Sequence, residues 1–260
     1  MSTILDKIIA NKKVEIENHK QQVPLQELEK KVQQVKPVQS FKESLRNSST
    51  GIISEFKRRS PSKDWIFKNA RIEEVIPFYS QNGASAISVL TDLEFFGGTL
   101  QDLELAGSLT QTPLLRKDFM VDEYQLYQAK LYGASAILLI AAALTVEKTK
   151  ELAVTAKNLG LDVLLEIHNE DELKHISEWV DVVGVNNRNL KTFVTDVQVS
   201  FSLVNKIPDE FVKISESGLS SSETVKELMQ AGYQGFLMGE NFMKTEDPGK
   251  ALKEFITELG

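Results

Sequence analysis

Hydrophobic and polar positions fall into two regimes along this 260-residue chain. In the first fifty residues the apolar side chains recur at helical spacing. Ile4, Leu5, Ile8 and Ile9 are followed by Val14 and Ile16, set among Lys, Glu and Asn. Leu25, Leu28 and Val32 form a second amphipathic run behind Pro24, and residues 41–45 a third. Thr3-Ile4-Leu5-Asp6 has the form of a capping box, in which hydroxyl and carboxylate satisfy orphan amides reciprocally. Residues 1–50 are therefore expected to be a helical extension packed on the rest, being too short to bury a core of their own. A solvated amphipathic arm is the alternative.

From Gly51 onward short apolar runs alternate with amphipathic stretches. Strands are expected to begin near Ile52, Ala86, Leu114, Ala136, Val163, Val182, Val212 and Phe236. Helices are expected over 72–81, 100–108, 122–131, 146–159, 170–179, 197–205, 222–230 and 248–259. Three junctions share one shape: Asn82-Gly83-Ala84-Ser85, Tyr132-Gly133-Ala134-Ser135 and Ala231-Gly232-Tyr233-Gln234 each set a C′ glycine between helix end and strand start. Eight strands and eight helices in alternation predict an α/β fold with a parallel sheet. Open sheets would also alternate, but eight units fill a chain close to the ~250 residues of a (β/α)8 TIM barrel. Residues 1–260 are read as one barrel domain carrying the extension.

The runs also have a direction. Ile52-Ile53-Ser54-Glu55-Phe56-Lys57, Leu114-Leu115-Arg116-Lys117, Val163-Leu164-Leu165-Glu166, Val182-Val183-Gly184-Val185-Asn186 and Val212-Lys213-Ile214-Ser215-Glu216 all pass from apolar to polar toward the C-terminal end. That is where barrel enzymes carry their chemistry.

Bulk properties narrow the function. A net charge of -7 and a pI near 5.2 disfavour nucleic-acid and anionic-membrane binding, which rest on basic surface. A local positive pocket for a phosphate remains open. There is no cysteine, which excludes disulfides, thiolate nucleophiles and cysteine-ligated metals and fits a reducing cytoplasm. No apolar run approaches the ~20 residues of a membrane span, and the N-terminus lacks the apolar core of a secretory signal.

Glu55 and Lys57 stand two apart on a strand and face the same side, so both heads reach the barrel mouth. Paired there they can transfer protons, or they can simply plug the barrel as a salt bridge. Lys117, between Arg116 and Asp118, is a candidate general acid whose pKa neighbouring cations would depress; a solvated turn lysine is the plainer reading. Glu166 ends an apolar run, where an idle acid is rare. Asn186 and Arg188 suit a hydroxyl and a carboxylate, with loop hydrogen bonding left for Asn187 and Asn189. Ser217 and Gly218 follow the seventh strand, and Gly239 and Glu240 follow the eighth and open a helical turn. Those two loops commonly hold phosphate in barrels. His19 falls in the extension and His175 in a charged helical stretch; His168 could reach the rim, with a satisfied surface histidine as the plainer reading. No spacing suggests a metal site, and no dinucleotide fingerprint is present.

These segments resemble indole-3-glycerol phosphate synthases over essentially the whole chain. The resemblance is carried by Glu55-Phe56-Lys57-Arg58-Arg59-Ser60-Pro61-Ser62, Ser88-Val89-Leu90-Thr91-Asp92, Phe95-Phe96-Gly97-Gly98 and Arg116-Lys117-Asp118-Phe119. It continues through Leu165-Glu166-Ile167-His168, Gly184-Val185-Asn186-Asn187-Arg188-Asn189-Leu190, Ser215-Glu216-Ser217-Gly218 and Met238-Gly239-Glu240. One departure stands in the first loop, where a glycine is common after Ser62-Lys63 and this chain has Asp64 and Trp65. The resemblance implies conversion of 1-(2-carboxyphenylamino)-1-deoxyribulose 5-phosphate to indole-3-glycerol phosphate, carbon dioxide and water, a step of tryptophan biosynthesis, without cofactor. It implies Lys117 as the acid at the ketone, Glu55 and Lys57 for the dehydration protons, and Glu166 to hold Lys117. Asn186, Arg188, Ser60 and Glu216 would bind substrate, Phe96, Phe119 and Leu138 would wall the aromatic ring, and Ser217, Gly218, Gly239 and Glu240 would hold phosphate. The expected partner is a phosphorylated small molecule, with neither nucleic acid nor membrane. A cytoplasmic monomer is expected, open to association with other tryptophan-pathway enzymes. A sugar-phosphate isomerase, such as one acting on phosphoribosyl anthranilate, and a barrel that only binds a phosphorylated ligand are the rivals.

Overall fold

A computed structural model describes residues 3–260. Eight parallel strands form its centre: β1 (Ile52–Phe56), β2 (Ala86–Leu90), β3 (Leu114–Lys117), β4 (Ala136–Ile140), β5 (Asp162–Ile167), β6 (Val182–Asn186), β7 (Val212–Glu216) and β8 (Gly235–Met238). They pair in chain order, and β8 returns to β1 through Ile52↔Phe236, closing the barrel without an edge. Alternation along each strand divides the side chains into two sets. Ile53, Ala86, Leu115, Ala136, Leu164, Val182, Ile214 and Leu237 fill the interior. Ile52, Ile87, Leu114, Ile137 and Val163 face outward into the larger core beneath the helices.

The strands agree with the sequence reading to within a residue or two. The three repeated junctions hold, with φ of +93° at Gly83, +86° at Gly133 and +114° at Gly232. One expected helix does not form as an α-helix, and another changes its winding. Residues 170–179 give only a 3₁₀ segment, Glu170–His175, because Glu172 turns back onto the His168 and Asn169 end of β5. Over 197–205 an α-helix, Gln198–Leu203, passes into a 3₁₀ turn, Val204–Lys206.

The first fifty residues hold three helices: α1 (Ile4–Gln22), α2 (Leu25–Val32) and α3 (Phe41–Arg46). The capping box at Thr3 and Asp6 forms. Phe41 and Leu45 of α3 enter the interior cluster and close the N-terminal mouth of the barrel. Ser40 Oγ and Lys42 N fix that helix to Asp162 at the start of β5, at 2.7 and 3.0 Å. Helix α1 runs up the flank. Ile16 and Leu28 pack on Tyr124, whose hydroxyl donates to the carbonyls of His19 and Val23. Its buried stripe is Ile8, Lys12 and Ile16, whereas Val14 is exposed. The two ends of the extension thus sit at opposite mouths of the barrel. Among the described residues no helix is long and apolar enough to cross a membrane.

Candidate active site

The interior rows of the strands end in polar groups at the C-terminal mouth, around a cavity of about 600 Å³. Every site residue nominated from the sequence lines it. Strand alternation explains the convergence: Glu55 follows Ile53 on the inward row, Lys117 follows Leu115, Glu166 follows Leu164 and Glu216 follows Ile214.

Lys117 is the hub. Its Nζ lies 3.0 Å from Glu166 Oε2 and 3.1 Å from Glu216 Oε2. This corrects the expectation of a depressed lysine pKa. Burial alone would lower it, but the carboxylates of Glu166, Glu216 and Glu55 outweigh burial and hold the ammonium charged. Arg116, the cation expected to depress it, sits one residue away on the strand and points outward. There it meets Thr91 Oγ1, Asp118 Oδ2 and the carbonyl of Gln125.

One ammonium between two buried carboxylates leaves them unequal. Burial first, then repulsion from Glu166 and Glu55, pushes the Glu216 carboxyl up to about 7. Glu166 goes the other way: burial opposes its charge, but Lys117 and His168 overcome it. Near neutrality the pair therefore offers one firm carboxylate and one carboxyl that exchanges its proton. Glu55 makes a separate pair with Lys57, Nζ to Oε1 at 2.6 Å, and Ser88 Oγ approaches the other oxygen at 3.4 Å.

Beside this charged floor stands an apolar wall. Phe96 and Phe119 lie with ring centroids 6.0 Å apart, and Leu138 completes the surface. Such a wall suits a flat apolar ring and keeps water from the acid groups. A family model described as indole-3-glycerol phosphate synthase matches residues 5–255. The chain belongs to this family.

Named relatives agree. The indole-3-glycerol phosphate synthase of Bacteroides thetaiotaomicron is 53% identical over 259 residues, covering 100% of both chains. That of Prochlorococcus marinus strain MIT 9515 is 42% identical, covering 98% of this chain and 90% of its own. Solved structures show the fold. A tryptophan synthase complex from Pyrococcus furiosus aligns with a TM-score of 0.60 at 17% identity, covering 82% of this chain and 98% of that one. A thiamine phosphate pyrophosphorylase from the same organism aligns with 0.59 at 16%, covering 81% and 95%. Membership in the synthase family disfavours the isomerase alternative.

The synthase cavity continues to the loops after β7 and β8. Ser217 and Gly218 take successive positive φ values of +69° and +75°. A Cβ on Gly218 would come within 2.5 Å of Thr195 Cγ2, so the turn requires glycine. Gly239 precedes the short helix Glu240–Met243, and the Glu240 carboxylate turns out toward Lys63 at 3.7 Å. The space a Cβ on Gly239 would need is held by Glu55 Oε1, 2.6 Å away, so this glycine first makes room for a carboxylate. Asn186 Oδ1 accepts the Arg188 amide. Arg188 reaches across the mouth to Ser62 Oγ at 3.2 Å, and Ser60 lies buried close to Ser62. Asn187 and Asn189 do hold their loop: Asn187 Nδ2 donates to Ser215 Oγ and the Ser217 carbonyl, and Asn189 Oδ1 accepts two loop amides.

The loop after β1 explains the departure from the family. Arg59–Ser60 and Asp64–Trp65 form a small hairpin, and Asp64 takes a φ of +55°. That is a conformation glycine adopts without cost. Asp64 is held in it by Arg59 Nε at 2.8 Å.

The sequence reading missed four features. Gly184 faces the cavity row, and a Cβ there would lie 2.3 Å from Glu216 Oε1. His168 is not a surface residue: its Nε2 is 3.3 Å from Glu166 Oε1 and its Nδ1 3.3 Å from Glu172 Oε2. Burial lowers its pKa, but those two carboxylates overcome the effect and raise it. His175 too is buried, on Thr149 Oγ1. Ile4, Leu5 and Ile8 of α1 also line the cavity.

Proposed function

We propose that this chain closes the indole ring of indole-3-glycerol phosphate by the chemistry these side chains offer. The aniline nitrogen of 1-(2-carboxyphenylamino)-1-deoxyribulose 5-phosphate pushes electrons through its ring, and the carbon bearing the carboxylate attacks the sugar ketone. The new carbon–carbon bond places negative charge on the ketone oxygen. Lys117, held cationic at the cavity floor, donates a proton there. Loss of carbon dioxide returns the ring electrons. The hydroxyl just formed then leaves as water, and a ring-carbon proton departs to give the indole. Glu55 and Lys57 handle those dehydration protons, and Glu166 anchors Lys117 and stabilises the cationic intermediate. Glu216, able to keep its proton near neutrality, donates to a substrate hydroxyl. Asn186, Arg188 and Ser60 orient hydroxyl and carboxylate. Phe96, Phe119 and Leu138 hold the ring at van der Waals distance and exclude water. Ser217, Gly218, Gly239 and Glu240 receive the phosphate through backbone amides.

The observation that carries this reading is the Lys117 ammonium between two buried carboxylates, beside the Phe96–Phe119 wall. The nitrogen of the substrate supplies the electrons, so the reading needs no cofactor. It takes the protein as a cytoplasmic monomer that works alone or beside other tryptophan-pathway enzymes. The test is to mix purified protein with the carboxyphenylamino-deoxyribulose phosphate and follow it by mass spectrometry. Loss of the combined mass of carbon dioxide and water supports ring closure. Unchanged substrate beside folded protein removes the proposal.

A further inference from the structure

Lys12 sits on α1 with no solvent exposure. Its ammonium lies 2.9 Å from Asp92 Oδ2, 3.0 Å from Asp118 Oδ1 and 3.0 Å from Glu15 Oε2. Sealing a lysine and two aspartates in a protein interior is costly, and an apolar plug of equal volume is often at least as stable. The location of the two aspartates suggests what the arrangement gains. Asp92 Oδ1 accepts the Phe95 amide and so caps the short helix Leu93–Phe96, which delivers Phe96 to the cavity. Asp118 Oδ1 accepts the Phe119 amide and follows Lys117 directly. One turn before Lys12, Ile8 joins Ile4 and Leu5 on the cavity surface. A single ammonium therefore ties together the three chain segments that build the apolar side of the cavity: α1, the loop after β2 and the end of β3.

We propose that Lys12 is a positioning residue that sets the width of the aromatic-ring subsite by fastening α1, Phe96 and Phe119 to one another. Its job is to bind the ring moiety of the substrate, through those residues, and not to move protons. The phosphate end of the cavity, built by the loops after β7 and β8, does not depend on it. This rests on the ring-closing reading above.

Lys12→Met tests it. Because that change leaves two buried carboxylates short of a cation, Lys12→Met with Asp92→Asn is measured beside it; the asparagine keeps the cap oxygen and removes the surplus charge. Four quantities are read: KM and kcat for the carboxyphenylamino-deoxyribulose phosphate, the inhibition constant of inorganic phosphate, and amide hydrogen exchange. The expected result for the double variant is a KM raised about 10-fold or more with kcat within about threefold, the pattern of lost uniform binding. The phosphate inhibition constant stays within about twofold. Exchange at residues 8–14, beyond the frayed first turn, rises about 10-fold or more, while the helix Pro248–Leu259 is unchanged. An unaltered KM, or a phosphate constant that rises with KM, overturns the proposal, since loosening would then be general or absent. Unchanged exchange at 8–14 overturns it as well. If the wild-type protein turns over no substrate, the ring-closing reading fails by itself. Exchange at 8–14 and binding of N-(2-carboxyphenyl)glycine then decide whether Lys12 shapes a ring site: weakened binding with raised exchange supports it, and anything else overturns it.

Discussion

Two buried charge clusters lie within one strand's reach of each other, and they are built on opposite terms. Behind β3, Lys12 and Arg116 face Asp92 and Asp118; these four are sealed from water and match in charge, and the third carboxylate on Lys12, that of Glu15, reaches solvent. In front of β3, Lys117 faces Glu166 and Glu216, with the Lys57–Glu55 pair alongside, so three carboxylates meet two ammonium groups at a cavity. In the sealed cluster the Lys12 ammonium and the Asp118 carboxylate each stabilise the other's charged form. Asp118 is held well below the usual carboxylate range, since Lys12 and Arg116 outweigh the penalty of its burial. The open cluster cannot satisfy all its charges together, and Glu216 titrates near neutrality. Balance fixes geometry; imbalance leaves a proton to move. The two sets come from one strand by a step of one residue, Arg116 outward and Lys117 inward.

The hardest blow to that contrast comes from its two central cations. Lys117→Met should lower kcat by about 10²–10⁴-fold by removing the general acid. Stability should shift little, because water and protonation at the cavity relieve the two freed carboxylates. Arg116→Met should do the reverse, costing about 3–5 kcal/mol of stability by breaking a sealed pair, with kcat of the folded enzyme within about threefold. Steady-state kinetics and denaturant titration on both variants check this. Comparable losses of kcat from the two would erase the distinction.

Next in size is Gly184→Ala. The added methyl would come within 2.3 Å of Glu216 Oε1, so the carboxyl must leave its place beside Lys117. Overpacking of this kind costs about 1–3 kcal/mol. An ångström of misplacement at an acid group can lower turnover by up to ~10²-fold. Normal kcat in a folded Gly184→Ala enzyme would show that Glu216 can be moved without consequence.

Much of this was legible in the chain because short apolar runs alternating with amphipathic stretches, and the apolar-to-polar direction of those runs, are local signals. They indicated the eight strands, the barrel, the strand ends that carry Lys117, Glu166 and Glu216, and the inward direction of Glu55 and Lys57. What escaped depends on contacts between distant segments. The sign of the Lys117 shift needed Glu166 and Glu216, which lie 49 and 99 residues away. Gly184 reads as an ordinary strand glycine until Glu216 is placed next to it. His168 is the local exception: Glu166 and Glu172, which enclose it, stand close in sequence, and only the turn after β5 brings both carboxylates onto its ring. Lys12 did leave a mark. It falls on the i, i+4 stripe of Ile8 and Ile16, and a lysine on an apolar stripe is out of place unless an acid meets it. The roles within the cavity are less legible still, because identical side chains serve as proton donors or as anchors according to their neighbours.

The smallest effect concerns the proton itself. In an unfolded chain Glu216 ionises near the ordinary glutamate value of 4.5, whereas in the fold it does so at about 7. Between those values the native state binds more protons than the unfolded state, so this group's contribution to stability is full below about pH 4.5 and declines as pH rises through 7. Glu216→Gln removes the titrating group and keeps the shape. Denaturant midpoints at pH 5, 6 and 7 should fall in the wild type relative to the glutamine variant, by on the order of 1–3 kcal/mol across the window. The sealed cluster has the opposite sign: Asp118, depressed in the fold, contributes stability above its unfolded value and loses it only in strong acid. Parallel profiles for wild type and Glu216→Gln would mean that Glu216 is ionised throughout, with Lys117 satisfying both carboxylates at once. The open cluster would then hold fixed charges like the sealed one, and its proton would have to come from the Glu55–Lys57 pair.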